Sequence, residues 1–283
     1  MCTLQSLCAY EVVVASMFRN TAPYLKEWVE YHKMVGVDHF WLYNDASTDN
    51  WEEVLQPYIE EGLVEVFYWP ASGGFWVPAQ MAAFADGARR ALGVAKWIAL
   101  IDQDEFLLPV LDKTIPECLK RRFSDAPAIY VNWLNFGTSG ISLEEESPML
   151  FRLTACSKKT HSRNAVGKSI FRPECADIGQ MWSPHFCPLK PGYSYVNGDC
   201  KKTLIAVGSD LKTDGEHHSK YIRINHYAHR DEKYFFNIRL PRDSERGLML
   251  KHYKEYNKER DYTIVDFIKR NHKSAYKKIW KNR

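Results

Sequence analysis

An α/β fold, with a mostly parallel central sheet flanked by helices, is what this sequence predicts, and three observations predict it. Apolar, β-branched runs recur through the first hundred residues, amphipathic helical stretches separate them, and the runs end in polar residues at 16–20, 44–49 and 102–105. Strands alternating with helices at this spacing read as βαβ units. In such sheets a ligand binds beyond the carboxyl ends of the strands, so the three polar ends mark a cleft.

The elements follow in order. YEVVVASMF (10–18) reads as a strand buried on both faces. In the next stretch Leu25, Trp28, Val29, His32 and Val35 share a helical stripe, with Pro23 in the first turn and Gly36 at the stop. VDHFWLYN (37–44) is a second strand, DASTDN a polar turn, and 51–61 a helix that Pro57 should kink. LVEVFYW (63–69) is a third strand, 80–92 a helix, and KWIALID (96–102) a fourth strand. The second half is less regular. A strand running into a glycine-bearing loop fits 128–140, further strands fit 167–173 and 221–230, and helices fit 231–240, 245–257 and 263–281. No repeat or linker interrupts the chain, so one compact domain is expected.

Hydrophobic residues make up 45% and charged residues 26%, the balance of an ordinary globular protein. The net charge of +3 is uneven: residues 251–283 hold eleven Lys or Arg against four Asp or Glu. That basic C-terminal helical stretch suits a solvated face or a peripheral contact with an anionic membrane surface. No nucleic-acid partner is expected. Seven cysteines form no CxxC pair and read as reduced thiols in a cytoplasmic compartment. Neither a signal peptide nor a stretch long enough to span a membrane is visible.

The chemistry centres on IDQDEFLLP. Asp102, Asp104 and Glu105 crowd three carboxylates at the mouth of a buried strand, where mutual repulsion requires compensation. A hard divalent cation, Mn²⁺ or Mg²⁺, is the natural candidate. Alone, an Asp-x-Asp is weak, and helix capping or loop solvation would use the same residues.

FRNTAPYLKEWVEYHKMVGVDHFWLYNDASTDN, IDQDEFLLP, NWLNFGTSG, KSIFRP and INHYAHRDEKYFFNIR occur in the order seen in glycosyltransferase family 92. The chain also resembles the wider group of family 2-like GT-A glycosyltransferases. The resemblance implies a GT-A (Rossmann-like) domain over 1–250, with 251–283 as a helical extension packed on or near it. It implies transfer of a sugar, often galactose, from a nucleotide diphosphate donor such as a UDP-sugar to a glycan or glycolipid hydroxyl, with inversion and Mn²⁺ as cofactor. Residue by residue, Arg19 and Asn20 match the loop against the nucleotide, and Asp45 the acid that recognises uracil or ribose. Gln80 and Asp86 match a helix facing the donor. Asp104 matches the metal ligand, Asp102 a contact to ribose or to a metal-bound water, and His226 a late metal-binding histidine. His229 and Arg230 would hold the diphosphate. Trp133, Phe136, Gly137 and Thr138 match the acceptor side. Lys168 and Arg172 suit either a phosphate contact or packing. Inversion needs a general base; Glu144 and Glu145 are the candidates, with an exposed acidic loop as their alternative. Two rival readings are a catalytically inactive sugar-nucleotide or glycan-binding module and a sugar nucleotidyltransferase. ASMFRNTAP lacks the glycine-rich signature of the latter.

Overall fold

The computed structural model describes residues 8–143, 148–181, 183–203 and 214–281. The N-terminal half is the expected βαβ succession. It runs β1 (Tyr10–Phe18), α1 (Ala22–Met34), β2 (His39–Asn44), α2 (Trp51–Glu60), β3 (Val64–Tyr68), α3 (Trp76–Ala91) and β4 (Ala95–Leu100). Pro57 lies inside α2 without ending it. β1 alternates its side chains between two cores. Val12, Val14 and Phe18 pack with Leu25, Trp28 and Val29 of α1 on one face, and Val13, Ala15 and Met17 meet Ala83, Phe84 and Ala88 of α3 on the other. A strand covered on both faces must be almost wholly apolar, and the buried stretch Val12–Phe18 is, with Ser16 its one polar residue.

Beyond β4 the chain continues through β5 (Glu105–Pro109), α4 (Ile115–Arg122), β6 (Ala128–Asn135), α5 (Met149–Arg152), β7 (Ala155–Cys156), β8 (Gly167–Phe171), β9 (Tyr195–Asn197) and β10 (Ile222–His226). Phe106–Leu108, which reads in sequence as the continuation of an apolar run, is a separate strand. α4 is too short for hydrophobic periodicity to single out, and Thr114 caps it by accepting from the Glu117 amide. Next come α6 (Glu232–Tyr234), a π-helical turn at Phe235–Arg239, α7 (Leu240–Arg242), α8 (Arg246–Glu255), β11 (Glu259–Arg260), α9 (Thr263–Asn271) and α10 (Lys273–Lys281). The helix expected over 263–281 therefore breaks at His272. The described part of the C-terminal stretch is anchored on the fold: Ile264, Val265, Phe267, Ile268 and Tyr276 belong to the main core.

The large sheet runs β3-β2-β1-β4-β8-β6-β10-β5, with β9 also paired to β6. Its first four strands are mutually parallel, and β8 and β5 run antiparallel to their neighbours. β5 pairs with β10 on one side only. Its other edge is satisfied by α1: the Trp28 indole N–H donates to the Glu105 carbonyl at 2.9 Å and the Tyr31 hydroxyl to Leu107 O at 2.9 Å. His32 Nε2 accepts from the Leu107 amide at 3.2 Å, while Nδ1 meets Trp28 O at 2.8 Å. That geometry makes Nδ1 the protonated nitrogen. Burial lowers the His32 pKa to about 3, so the ring is neutral.

Gly167 begins β8 against β6, and an added Cβ would lie 2.0 Å from the Val131 carbonyl oxygen. Only glycine permits this approach. Gly167→Ala should therefore destabilise the protein by about 1–3 kcal/mol, the usual cost of overpacking, as read by chemical denaturation. An unchanged midpoint would show that β6 and β8 can separate freely here.

Candidate active site

The carboxyl ends of β1 and β4 and the loops near β6 and β10 enclose a cleft of about 730 Å³. Strand register builds its floor. Antiparallel pairing sets His226 opposite Glu105, and the Tyr227 amide donates to Asp104 O at 2.7 Å. Asp104 is thereby brought beside an imidazole more than a hundred residues away, with His226 Nε2 3.9 Å from Asp104 Oδ1. Parallel pairing with β6 sets His226 opposite Asn135, whose Oδ1 lies 2.9 Å from Nδ1. The amide oxygen can only accept, so Nδ1 carries the proton and Nε2 presents its lone pair toward Asp104. Burial is the main reason the His226 pKa falls to about 3, so the imidazole is neutral. Trp133 packs against this ring, with centroids 4.1 Å apart and planes tilted by 30°.

The crowded carboxylates are compensated from below. Lys168 is buried, with Nζ 2.9 Å from Asp102 Oδ2, and Gln80 Nε2 donates to Asp102 Oδ1 at 2.6 Å. Burial pulls the Lys168 pKa down, but Asp102 and Glu105 outweigh it and the net shift is upward, so the ammonium stays charged. Glu105 is fully buried and accepts from the Asp102 amide at 2.9 Å. Burial pushes its carboxyl well above the usual range; Lys168 opposes the shift, and Asp102 and Asp104 add to it. Gln103 ties the loop to β1 by donating to Met17 O at 2.8 Å and to the Ser16 hydroxyl.

The two metal-binding candidates are thus not equivalent. Both oxygens of Asp102 engage protein groups, whereas Asp104 faces the cleft together with His226. Among the described residues no three His, Cys, Asp or Glu side chains converge into a complete metal site. The protein offers one carboxylate and one neutral imidazole, a donor set suited to Mn²⁺ when a ligand's oxygens and water complete the shell.

Arg19 and Asn20 line the cleft. Asn20 takes a positive φ of 52° and cross-links to the second polar loop, accepting from the Thr48 amide at 2.7 Å. Asp45 is buried beneath that loop. Its carboxylate accepts from Ala71 N at 2.6 Å and Arg19 Nη1 at 3.3 Å, and it does not line the cleft. In this arrangement it holds Arg19. Asp49 accepts from the Ala22 amide at 2.8 Å and so starts α1.

Other positions require correction. Phe136 is fully buried and stacked on Tyr227, so it offers no face to a sugar. Gly137 packs against Tyr256 and Asn257, and Thr138 is buried, donating to Glu232. His229 stacks on Tyr256 behind the cleft, but its neighbour Arg230 lines the cleft between Tyr24 and Tyr234. Arg230 Nη1 is buried without a hydrogen-bond partner. Asp86 pairs with Arg90, and Arg172 donates to the Ser124 and Ala126 carbonyls over Trp97. Glu144 and Glu145 lie outside the described residues. Arg163, Arg239, Arg242, Trp76 and Tyr234 also line the cleft; Tyr234 and Arg239 fall within the INHYAHRDEKYFFNIR stretch but are not singled out by it, and no local signal marks the other three.

A family model described as glycosyltransferase family 92 matches residues 9–282. The chain belongs to that family. A family 92 protein of Ricinus communis is 30% identical over 194 residues, covering 67% of this chain and 34% of the relative. One from Oryza sativa subsp. japonica is 33% identical over 193 residues, covering 67% and 31%. The chain thus spans about a third of the length of these curated relatives. Among solved structures, S. aureus TarS 1–349 in complex with UDP-GlcNAc has 13% identity and a TM-score of 0.41, over 95% of this chain and 78% of that one. Glucosyl-3-phosphoglycerate synthase from Mycobacterium tuberculosis, in complex with Mn²⁺, UDP and glucosyl-3-phosphoglycerate, has 12% identity and a TM-score of 0.32, over 59% and 58%. No described helix is long and apolar enough to cross a membrane.

Removing the Lys168 charge tests the compensation. Lys168→Met should cost about 3–5 kcal/mol at neutral pH, the scale for breaking a buried pair and stranding its partner. Equilibrium denaturation measures it. A loss under about 1 kcal/mol, the value of an exposed pair, would contradict the buried-pair assignment.

Proposed function

We propose that this family 92 chain is a metal-dependent transferase that moves a hexose, galactose being the first to test, from a UDP-sugar to a hydroxyl of a glycan or glycolipid with inversion. The observation that carries the reading is the meeting of Asp104 with the unprotonated face of His226 on the cleft floor. Asp104 and His226 would hold a Mn²⁺ or Mg²⁺ ion, and Asp102, fixed by Lys168 and Gln80, would stand beside it. The ion, when bound, supplies Lewis-acid stabilisation of the diphosphate leaving group.

The chain's own residues account for the rest. Arg230, held between Tyr24 and Tyr234 with an unpartnered Nη1, offers charge-assisted hydrogen bonds to the donor phosphates. Arg19 is oriented by Asp45 at the nucleotide side. Trp133 has a buried, unpartnered indole N–H at the cleft wall and is the remaining acceptor-side candidate. In an inverting transfer the acceptor oxygen bonds to the anomeric carbon as the bond to UDP breaks, and a carboxylate takes the hydroxyl proton. Glu144 and Glu145 are assigned that role on sequence alone.

UDP-sugars should be consumed by the purified chain only with Mn²⁺ or Mg²⁺, and excess chelator should stop turnover. Asp104→Asn or His226→Ala should reduce metal-dependent transfer by at least about a hundredfold while leaving the thermal midpoint nearly unchanged. Full activity in chelator would overturn the metal assignment. Binding of UDP without turnover of any UDP-sugar would favour an inactive sugar-nucleotide-binding module.

A further inference from the structure

Five arginines line the cleft against two carboxylates, Asp102 and Asp104. Asp102 is paired with Lys168, and Arg19 with Asp45. A nucleoside diphosphate and a divalent cation largely cancel each other's charge, and Arg230 faces the phosphates in the reading above. Arg163, Arg239 and Arg242 are left over. Arg163 is exposed on the turn Ser162–Ala165. Arg239 ends the π-helical turn and Arg242 ends α7.

Four of the described acids near these arginines are engaged elsewhere. Glu255 takes His161 Nε2 at 2.8 Å, and Glu232 takes the Tyr253 hydroxyl at 2.7 Å. Asp231 accepts from the Tyr234 and Leu143 amides, each at 2.7 Å, and Asp243 accepts from the Glu245 amide at 2.8 Å. Among the described residues none of the three arginines forms an ion pair. Exposed side chains converging from separate elements without counter-charge suit a ligand that brings its own, and the planar guanidinium matches carboxylate and phosphate oxygens in a two-pronged contact.

We infer that the acceptor carries an anionic group, a carboxylate or a phosphate ester, seated on Arg163, Arg239 and Arg242. This rests on the transferase reading of the same cleft.

The test uses the whole chain with Mn²⁺ and the UDP-sugar it turns over. Three acceptors of equal length are compared: a neutral oligosaccharide, one ending in a uronic acid, and one bearing a glycerol phosphate ester. An anionic acceptor should show a KM at least about tenfold lower than the neutral one, the effect of one or two charge-assisted contacts, and the gap should narrow as salt rises. Which anionic acceptor gains more identifies the group. Arg239→Ala/Arg242→Ala should raise that KM about tenfold and leave UDP affinity, measured by calorimetry, unchanged. Both side chains are exposed, so an unaltered thermal midpoint verifies the fold. Equal KM values for neutral and anionic acceptors would overturn the inference, as would a variant defect confined to UDP binding. Failure of the parent chain to bind UDP would instead remove the transferase reading and this inference with it.

Discussion

The site depends on a single buried ammonium. Lys168 lies under the Asp102–Glu105 turn, where carboxylates crowd within four residues, and holds Asp102 at 2.9 Å. Without that cation, folding would have to leave several anions facing one another away from bulk water, and protonation would be the cheaper outcome. With it, Asp102 is fixed and Asp104 is free to face the cleft. The sheet brings this about: β8 delivers Lys168 from one side of β6, and β10 delivers His226 from the other. The backbone approach at Gly167 belongs to the same arrangement, since it seats the start of β8.

Much of the first half of the fold was legible in the sequence. β1 to β4 are apolar runs and α1 to α3 carry apolar stripes, so local periodicity suffices. Later strands were harder. β5 follows β4 after only a short turn yet pairs with β10, and β9 is three residues long. Such pairings are set by long-range register, which periodicity does not encode. The break at His272 is likewise a matter of packing, with Phe267, Ile268 and Tyr276 all reaching the core.

The site divides along the same line. The carboxylate turn announced itself by charge at the end of an apolar run. His226 was found through the order of motifs, because a lone histidine carries no signal of its own. Lys168 could be named but its role could not: in sequence, a lysine awaiting phosphate and a lysine buried under aspartate look alike. Phe136, Gly137 and Thr138 show the converse error, since an aromatic–glycine segment reads equally as a ligand-facing loop or as a close-packed one. Asp45 was placed at the right loop, but its carboxylate is taken up by Arg19 and the Ala71 amide. The three leftover arginines are scattered through the chain, and only folding gathers them.

The side chains of Trp28, Tyr31 and His32 along β5 have a consequence for assembly. An edge strand with free amides and carbonyls is a template for another chain's backbone. By meeting the Glu105 and Leu107 backbone groups, α1 withdraws that edge from such pairing. The opposite end of the sheet is β3, where Tyr68 is exposed. Strand addition, whether productive in a complex or damaging in aggregation, is therefore directed to the β3 end and kept from the strand that follows the carboxylate turn.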